Sequence, residues 1–296
     1  MPLLVLLLIA SVAGIVAAGV AWRYPRSMPG SAAAEPVAEA VGEMTAEHSR
    51  VRTFIRRRRD PVAATGLALT LALGAVIVGG LVIGGLALLV RSTKAGLEID
   101  TGPARWGFEN ATGFSTTWLG YLTHLGDGWV VIPLGVLIAA FATYRLRSRF
   151  VIPFLLAVMV GNQLITVVVK DLADRARPTL NPIAQTLGPS FPSGHSSTAA
   201  SFYAAAALLI GCRRGHVART ILASLAVAIP VAVACTRVLL DVHWVSDVIA
   251  GLALGWGWFA ICAIAFGGRL LRFGATAERS VDAARATKPG ADPVQV

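Results

Sequence analysis

The chain has 296 residues, of which 55% are hydrophobic and only 14% are charged. Soluble globular domains use about 25% charged residues, so this balance excludes an ordinary soluble protein and predicts an integral membrane protein. The net charge of +10 would suit a nucleic-acid partner, but the basic residues cluster beside long apolar runs, and no nucleic-acid partner is predicted. The three cysteines lack metal-ligand spacing and are expected to be small core residues: Cys212, Cys235 and Cys262.

The first predicted domain, residues 1–60, combines an anchor helix with a basic linker. Residues 2–22 are almost wholly apolar and just long enough to span a bilayer. No Lys or Arg precedes this run and two arginines follow it, which favours an uncleaved anchor with its N-terminus outside. Cleavage as a signal peptide is the alternative, because the run ends in alanines. The linker ends in the run Arg56–Arg59 and is expected to be cytoplasmic by the positive-inside rule, with recognition of anionic lipid headgroups as an alternative role.

The second predicted domain, residues 61–268, is a six-span core. Its predicted spans are 61–90, 129–144, 151–169, 195–211, 220–236 and 248–267. The predicted fold class is therefore all-α, a polytopic membrane helical bundle with six core transmembrane helices and an N-terminal anchor helix. The polar remainder, 269–296, is predicted to be a disordered cytoplasmic tail. Residues 91–127, between the first two core spans, carry mixed charges and several aromatic residues and are predicted to be a long interfacial loop that forms a lid or a substrate rim.

Orientation follows from the arginine clusters. If Arg56–Arg59 is inside, the other dense arginine clusters also fall inside, and the segments 170–194 and 237–247 fall together on the outer side. Cations on that side are contrary to the positive-inside rule, so a local interaction must account for their presence. An anionic ligand at the outer membrane surface is the one predicted here.

Two cations in the first outer segment have a useful spacing. Lys170 and Arg177 are seven positions apart, so on a helix they would lie on one face, about 10 Å apart along the axis, and could converge on one anion. Arg175 would point away from both and is expected to face solvent or lipid headgroups. Ser193 and Gly194 then open an apolar run whose free N–H groups and helix dipole favour negative charge, and His195 is a titratable imidazole at the same place.

The second outer segment supplies a paired histidine. His243 and Asp247 are four residues apart, so on a helix the carboxylate can bond the imidazole, fix its tautomer and raise its basicity, which suits a nucleophile. Arg237, at the end of the preceding span, adds a third cation. Phosphoryl transfer needs cations and N–H donors around the peripheral oxygens and an acid for the leaving oxygen, a role that His195 could fill. His124 and His216, by contrast, are expected to be interfacial.

These residues resemble a three-part signature. The order and spacing are similar to those of three motifs in the type 2 phosphatidic acid phosphatase superfamily, which includes lipid phosphate phosphatases, undecaprenyl-diphosphate phosphatases and vanadium haloperoxidases. The first motif runs from Lys170 to Arg177-Pro178, the second is Pro192-Ser193-Gly194-His195, and the third runs from Arg237 through His243 to Asp247. The motifs lie within about 150–250. One departure is Thr236, where the family usually has Ser; Thr keeps the hydroxyl.

The resemblance implies a set of roles. His243 forms a phosphohistidine, Asp247 orients it and His195 is the general acid, while the phosphate is held by Lys170, Arg177, Ser193, Gly194 and Arg237. No metal or other cofactor is required. The predicted function is that of an integral-membrane lipid phosphatase in the cell membrane, with a lipid phosphate as substrate, membrane lipids as neighbours and the site on the extracytoplasmic side.

Several points stay open from the sequence. An anion or lipid transporter or channel using the same cations is the alternative function, although a His-Asp pair with a second histidine is superfluous for a pore. A haloperoxidase shares these residues but is disfavoured by seven spans. The lipid substrate, whether a phospholipid monophosphate or an isoprenyl diphosphate, and the oligomeric state are not identified.

Overall fold

The computed structural model describes residues 1–23, 98–178, 188–212 and 214–270. The helices are α1 (Pro2–Arg23), α2 (Glu98–Glu109), α3 (Gly113–Thr123), α4 (Gly128–Leu146), α5 (Val151–Ala173), α6 (Gly194–Gly211), α7 (His216–Leu239) and α8 (Val245–Leu270), with a 3-10 helix at His124–Gly126. No β-strand occurs within these ranges, and the predicted all-α fold is confirmed. The described residues up to Ala263 belong to one compact unit.

Five of the described helices are long and apolar enough to cross a membrane, namely α1, α4, α5, α7 and, up to Phe266, α8. Large hydrophobic side chains are exposed along these helices, as a lipid-facing surface requires. The shorter α6 corresponds to the predicted span 195–211. The predicted span 61–90, the linker before it and the tail 271–296 lie outside the described residues, so the six-span core remains a prediction.

The helix α6 is surrounded by its neighbours. Most of its residues are buried, and it packs against α4, α5 and α7. On a further side α8 approaches very closely, because a Cβ at Gly251 would lie 2.5 Å from the carbonyl oxygen of Ser193, just before α6, and a Cβ at Gly255 would lie 2.3 Å from that of Ser197 within α6. Glycines allow such backbone proximity where van der Waals contact, rather than the hydrophobic effect, holds helices together. The close approach brings the N-terminal ends of α6 and α8 to the same place.

The N-terminal anchor helix packs along α7. Gly14 of α1 faces Ser224 and Ala228, and the Ser224 hydroxyl donates a hydrogen bond of 2.8 Å to the Gly14 carbonyl oxygen. Small residues at this crossing let the two helices meet closely. The helix predicted from the apolar run 2–22 is therefore part of the bundle and contacts α7 directly.

The prediction of a long loop over 91–127 is wrong for residues 98–126, which form α2, α3 and the 3-10 helix. A capping box starts α3, because Ser115 N–H donates to Thr112 Oγ1 at 3.1 Å and Thr112 N–H donates to Ser115 Oγ at 2.9 Å. Pro103 and two glycines give α2 a low intrinsic helix propensity, so the sequence did not predict it. Contact with α7 stabilises the helix, since Gly107 lies against the backbone of Leu239.

A second correction concerns the segment after Lys170. The helix α5 ends at Ala173, because Asp174 takes a left-handed conformation with φ 42° and ψ 43°. Residues 174–178 are not helical. The assumption that Lys170 and Arg177 share one helix face is therefore wrong, although both side chains still reach the same region.

Candidate active site

Four helix ends meet to form the candidate site. Lys170 is in the last turn of α5, Ser193 is the N-cap of α6, Arg237 is in the last turn of α7, and Asp247 is in the first turn of α8. Ser193 N–H donates a 3.0 Å hydrogen bond to the carbonyl oxygen of Asp247, which joins the two N-termini. Because helix N-termini carry partial positive charge, both ends favour an anion between them.

His243 lies between a carboxylate and a guanidinium. Its Nδ1 is 3.4 Å from Oδ2 of Asp247, and its Nε2 is 3.3 Å from Nη1 of Arg177. A guanidinium has no acceptor, so Nε2 must accept and Nδ1 must carry the proton that faces Asp247. This arrangement leaves the lone pair of Nε2 directed towards a cation, in the tautomer that a nucleophilic imidazole needs.

Burial lowers the pKa of His243 to about 4, and the Asp247 carboxylate opposes this shift without cancelling it. The imidazole is therefore neutral near pH 7. A neutral ring has the free electron pair that a nucleophile requires, whereas an imidazolium does not.

The cations predicted to bind phosphate come together. Lys170 Nζ donates to the carbonyl oxygen of Pro189 at 2.7 Å, and Arg177 Nη2 reaches the same oxygen at 3.3 Å. Arg177 also donates to the carbonyl oxygens of Gly188 at 3.0 Å and Val242 at 2.9 Å. Two of the three predicted cationic head groups thus converge on one oxygen atom.

Arg237 completes the cationic group. Its side chain is buried, and Nη1 donates to Thr123 Oγ1 at 3.0 Å, while Nε has no hydrogen-bond partner among the described residues. It is close enough for its charge to act on Lys170, and Arg177 acts on it in turn. Three like charges held together inside a protein are costly unless an anion compensates them.

His195, in the first turn of α6, has a partner that the sequence analysis missed. Its Nε2 is 2.6 Å from Oδ1 of Asp127, whose other oxygen is 2.6 Å from Nδ1 of His124. Burial raises the pKa of Asp127, but the hydrogen bond with His124 and the charge of His195 outweigh it and leave the pKa lowered. His124 was expected to be an interfacial residue, and its ring is in fact linked to His195 through this carboxylate.

Ser193 and Gly194 occupy the start of α6. The Ser193 side chain is buried and its Oγ accepts a 3.1 Å hydrogen bond from Ser196 Oγ, so it does not cap the helix. The first backbone N–H groups of a helix have no intrahelical acceptor. Because no side chain caps α6, these N–H groups suit an anion, and phosphate binding by Ser193 and Gly194 stays a prediction.

The expectation that Arg175 faces solvent or headgroups is wrong. Only 8% of its side chain is exposed, and it contacts the carboxylates of Asp247 and Asp100. The helical-wheel argument failed because the chain leaves the helix before Arg175. Across the described part of the chain, no three His, Cys, Asp or Glu side chains form a group suited to a metal ion; independence from metals and other cofactors remains a prediction.

Residues 151–270 match the PAP2 superfamily. Over 155 residues the chain is 34% identical to a decaprenylphosphoryl-5-phosphoribose phosphatase of Mycobacterium tuberculosis, an alignment that covers 50% of this chain and 78% of that protein. Over 136 residues it is 33% identical to phosphatidylglycerophosphatase B of Bacillus subtilis, covering 45% and 66% of the two chains. Over 72 residues it is 49% identical to a lipid A 1-phosphatase of Rhizobium etli, covering 24% and 27%.

The crystal structure of a transmembrane PAP2-type phosphatidylglycerolphosphate phosphatase from Bacillus subtilis is similar, with a TM-score of 0.58 and 26% identity over 65% of this chain and 98% of that one. The chain spans just under two thirds of the Bacillus relative in sequence and about a quarter of the Rhizobium relative. It belongs to the PAP2 superfamily, as the three-part signature predicted, and it is a multi-pass membrane protein.

Proposed function

We propose that this protein is a membrane lipid phosphatase that removes the terminal phosphate of a phospholipid monophosphate or an isoprenyl diphosphate through a phosphohistidine. The observation that carries the proposal is the environment of His243. Its Nδ1 faces Asp247 while its Nε2 faces Arg177. An imidazole fixed in this way, neutral and aimed at a cationic cluster, suits attack on a phosphate group.

In the first step Nε2 of His243 attacks phosphorus, and the bond between phosphorus and the leaving oxygen breaks. Lys170, Arg177 and Arg237 stabilise the charge on the peripheral oxygens. His195, protonated on both ring nitrogens when the phosphate is bound, gives one of these protons to the leaving oxygen. Because Asp127 accepts the proton of its Nε2, the proton that moves is at Nδ1.

In the second step a water molecule attacks phosphorus and the phosphorus–nitrogen bond breaks. The neutral Nδ1 of His195 takes a proton from that water, which restores the acid for the next cycle. Inorganic phosphate leaves, and His243 recovers its lone pair. Asp247 stabilises the positive charge that the His243 ring carries while it is phosphorylated.

The substrate class is supported by the relatives. The three relatives are named as phosphatases of decaprenylphosphoryl phosphoribose, phosphatidylglycerophosphate and lipid A. Each name describes a phosphate attached to a lipid anchor. We infer that this chain also acts on a lipid-anchored phosphate, whose headgroup would enter between the four helix ends.

The test is rapid-quench trapping of the phosphoenzyme, together with phosphate release from a panel of lipid phosphates. His243→Ala should abolish both the acid-labile phosphoenzyme and turnover. His195→Ala should slow turnover by roughly 10²–10⁴-fold, and by less for p-nitrophenyl phosphate, whose leaving group needs little protonation.

His216→Ala is the matched control, because His216 packs on Trp22 at the other end of α7. It should retain normal turnover. A phosphoenzyme that persists in His243→Ala would contradict the assigned nucleophile. Phosphate binding by the wild type without hydrolysis of any lipid would favour the transporter or channel instead. A transport path needs polar groups across the bilayer, whereas every buried charged side chain of the described residues lies near this one end of the bundle.

A further inference from the structure

Arg175 joins two buried carboxylates behind the proposed nucleophile. Its Nη1 donates to Oδ1 of Asp247 at 2.6 Å, and its Nη2 donates to Oδ2 of Asp100 at 2.8 Å. Both carboxylates are fully buried. A fork of two N–H groups on one rigid plane fixes the direction between its two acceptors in a way that a single ammonium does not.

The two oxygens of Asp247 have different partners. Oδ1 accepts from Arg175, while Oδ2 accepts from the backbone N–H of Trp244 at 3.0 Å and faces Nδ1 of His243 at 3.4 Å. The bond from Arg175 therefore opposes rotation of the carboxylate. It keeps Oδ2, and not a mixture of the two oxygens, directed at the imidazole.

Asp100 holds Arg175 and the first turn of α8 together. Its Oδ1 accepts from Ser246 N–H at 2.8 Å, and its Oδ2 accepts from Ser246 Oγ at 2.8 Å as well as from Arg175. A carboxylate from α2 thus satisfies one of the free N–H groups at the N-terminus of α8, where Asp247 also lies. The position of α2 is tied to the position of Asp247.

We propose that Arg175 and Asp100 are positioning residues that set the orientation of Asp247 and thereby the tautomer of His243. The inference rests on the proposed function of His243 as nucleophile. It assigns to α2, a segment expected to be a lid or rim, the task of supporting the nucleophile from behind. It also explains why an arginine between two motif cations, Lys170 and Arg177, is directed away from the phosphate site.

The conservative substitutions test the geometry directly. Asp100 accepts three hydrogen bonds and donates none, so Asp100→Asn leaves a single acceptor oxygen and introduces an N–H₂ group against the donors. Arg175→Lys keeps the charge but replaces the planar fork. Each should lower kcat by roughly 10–100-fold, as the loss of an outer partner does where that partner orients a metal-bound histidine, and should leave KM nearly unchanged.

Arg105→Gln is the matched control, because Arg105 is exposed on the same helix α2 as Asp100. Its kcat should stay within about twofold of the wild type. A second arm places Arg175→Gln in an Asp247→Asn background. If Arg175 acts through Asp247, the additional loss there should be no more than about twofold, whereas independent roles would give the full loss again.

A spectroscopic arm does not depend on turnover. Nitrogen-15 NMR of the His243 ring should report one tautomer, protonated at Nδ1, in the wild type and in Arg105→Gln, and a mixture in Arg175→Lys and Asp100→Asn. A purely structural ion pair would lower the melting temperature of these variants and leave both the tautomer and kcat of the folded fraction unchanged. That result would overturn the proposal.

The arms separate this inference from the proposed function. If the wild type hydrolyses no lipid phosphate but the tautomer changes as expected, the proposed function fails while the positioning of His243 by Arg175 and Asp100 stands. If the wild type is active and neither conservative variant changes kcat or the tautomer, the inference fails alone. If either Arg175→Lys or Asp100→Asn fails to insert into the membrane, the other variant still tests the proposal, because both substitutions alter the hydrogen bonds that link Asp100, Arg175 and Asp247.

Discussion

His243 is almost completely buried, and its protonation follows from that burial. Its pKa of about 4 lies below the unperturbed value near 6.5, with burial as the main cause. In the unfolded chain the residue binds a proton near pH 6.5, while in the folded chain it does so only near pH 4. The free energy of unfolding therefore receives a contribution from His243 that is complete above pH 6.5 and is lost as the pH falls towards 4.

This difference gives a residue-scale prediction. In carbon-13 NMR of histidine-labelled protein, the His243 signal, identified by its loss in His243→Gln, should stay at the position of a neutral ring down to pH 5.5. An exposed imidazole with the ordinary pKa would be about 90% protonated there. A midpoint near 6.5 would contradict the neutral, buried nucleophile.

At the same scale, two important residues escaped sequence analysis for definite physical reasons. Asp127 contacts His195 from 68 positions earlier in the chain, and no local spacing indicates such a contact. Arg175 was assigned by a helical wheel beyond the end of its helix. His243 and Asp247, by contrast, were paired correctly in space, because they are four residues apart and the turn between them keeps both on one side.

At the scale of elements, the approach of α8 to α6 positions the site. A Cβ at Gly251 would lie 2.5 Å from the Ser193 carbonyl oxygen and 3.0 Å from Ser196 Cβ. The nearest atom is backbone, so the helices would have to separate. That separation would strain the hydrogen bond from Ser193 N–H to the Asp247 carbonyl oxygen.

Gly251→Ala should therefore lower stability by about 1–3 kcal/mol, as overpacking does, and should reduce turnover. The control is Gly257→Ala on the same helix, where a Cβ meets nothing within 4 Å. That change should be neutral or stabilising, because alanine is the better helix former. Thermal melting in detergent and lipid phosphatase assays measure both. Normal melting and normal turnover in Gly251→Ala would show that this contact does not position the site.

Element boundaries were predictable where the apolar pattern was strong and not elsewhere. The runs 129–144 and 220–236 correspond to α4 and α7, which extend them by one to four residues at either end. The helix α2 was missed because Pro103 and its glycines disfavour a helix in isolation. Its tertiary contacts with Leu239, Ser246 and Arg175 supply the stability that its local sequence does not.

At the scale of the whole molecule, the site lies at one end of the bundle. Lys170 is near the C-terminal end of α5, and the arginine-rich turn 147–150 precedes its N-terminal end. A helix of 23 residues is about 35 Å long, enough to separate the two across a bilayer. The positive-inside rule assigns the arginine-rich turn to the cytoplasm, and the site would then face outward.

This orientation is tested by cysteine labelling in intact cells. In a background without Cys212, Cys235 and Cys262, a cysteine in place of exposed Glu109, at the end of α2, should react with a membrane-impermeant thiol reagent. A cysteine in place of Ser148 should react only after the cells are permeabilised, which also shows that it is accessible to the reagent. Because α2 is joined to the site through Asp100 and Arg175, the label at Glu109 reports the side on which the phosphate binds. If only Ser148→Cys is labelled in intact cells, the site faces the cytoplasm. The cations of the site would then lie on the side that the positive-inside rule favours, and the arginine-rich turn would lie on the opposite side.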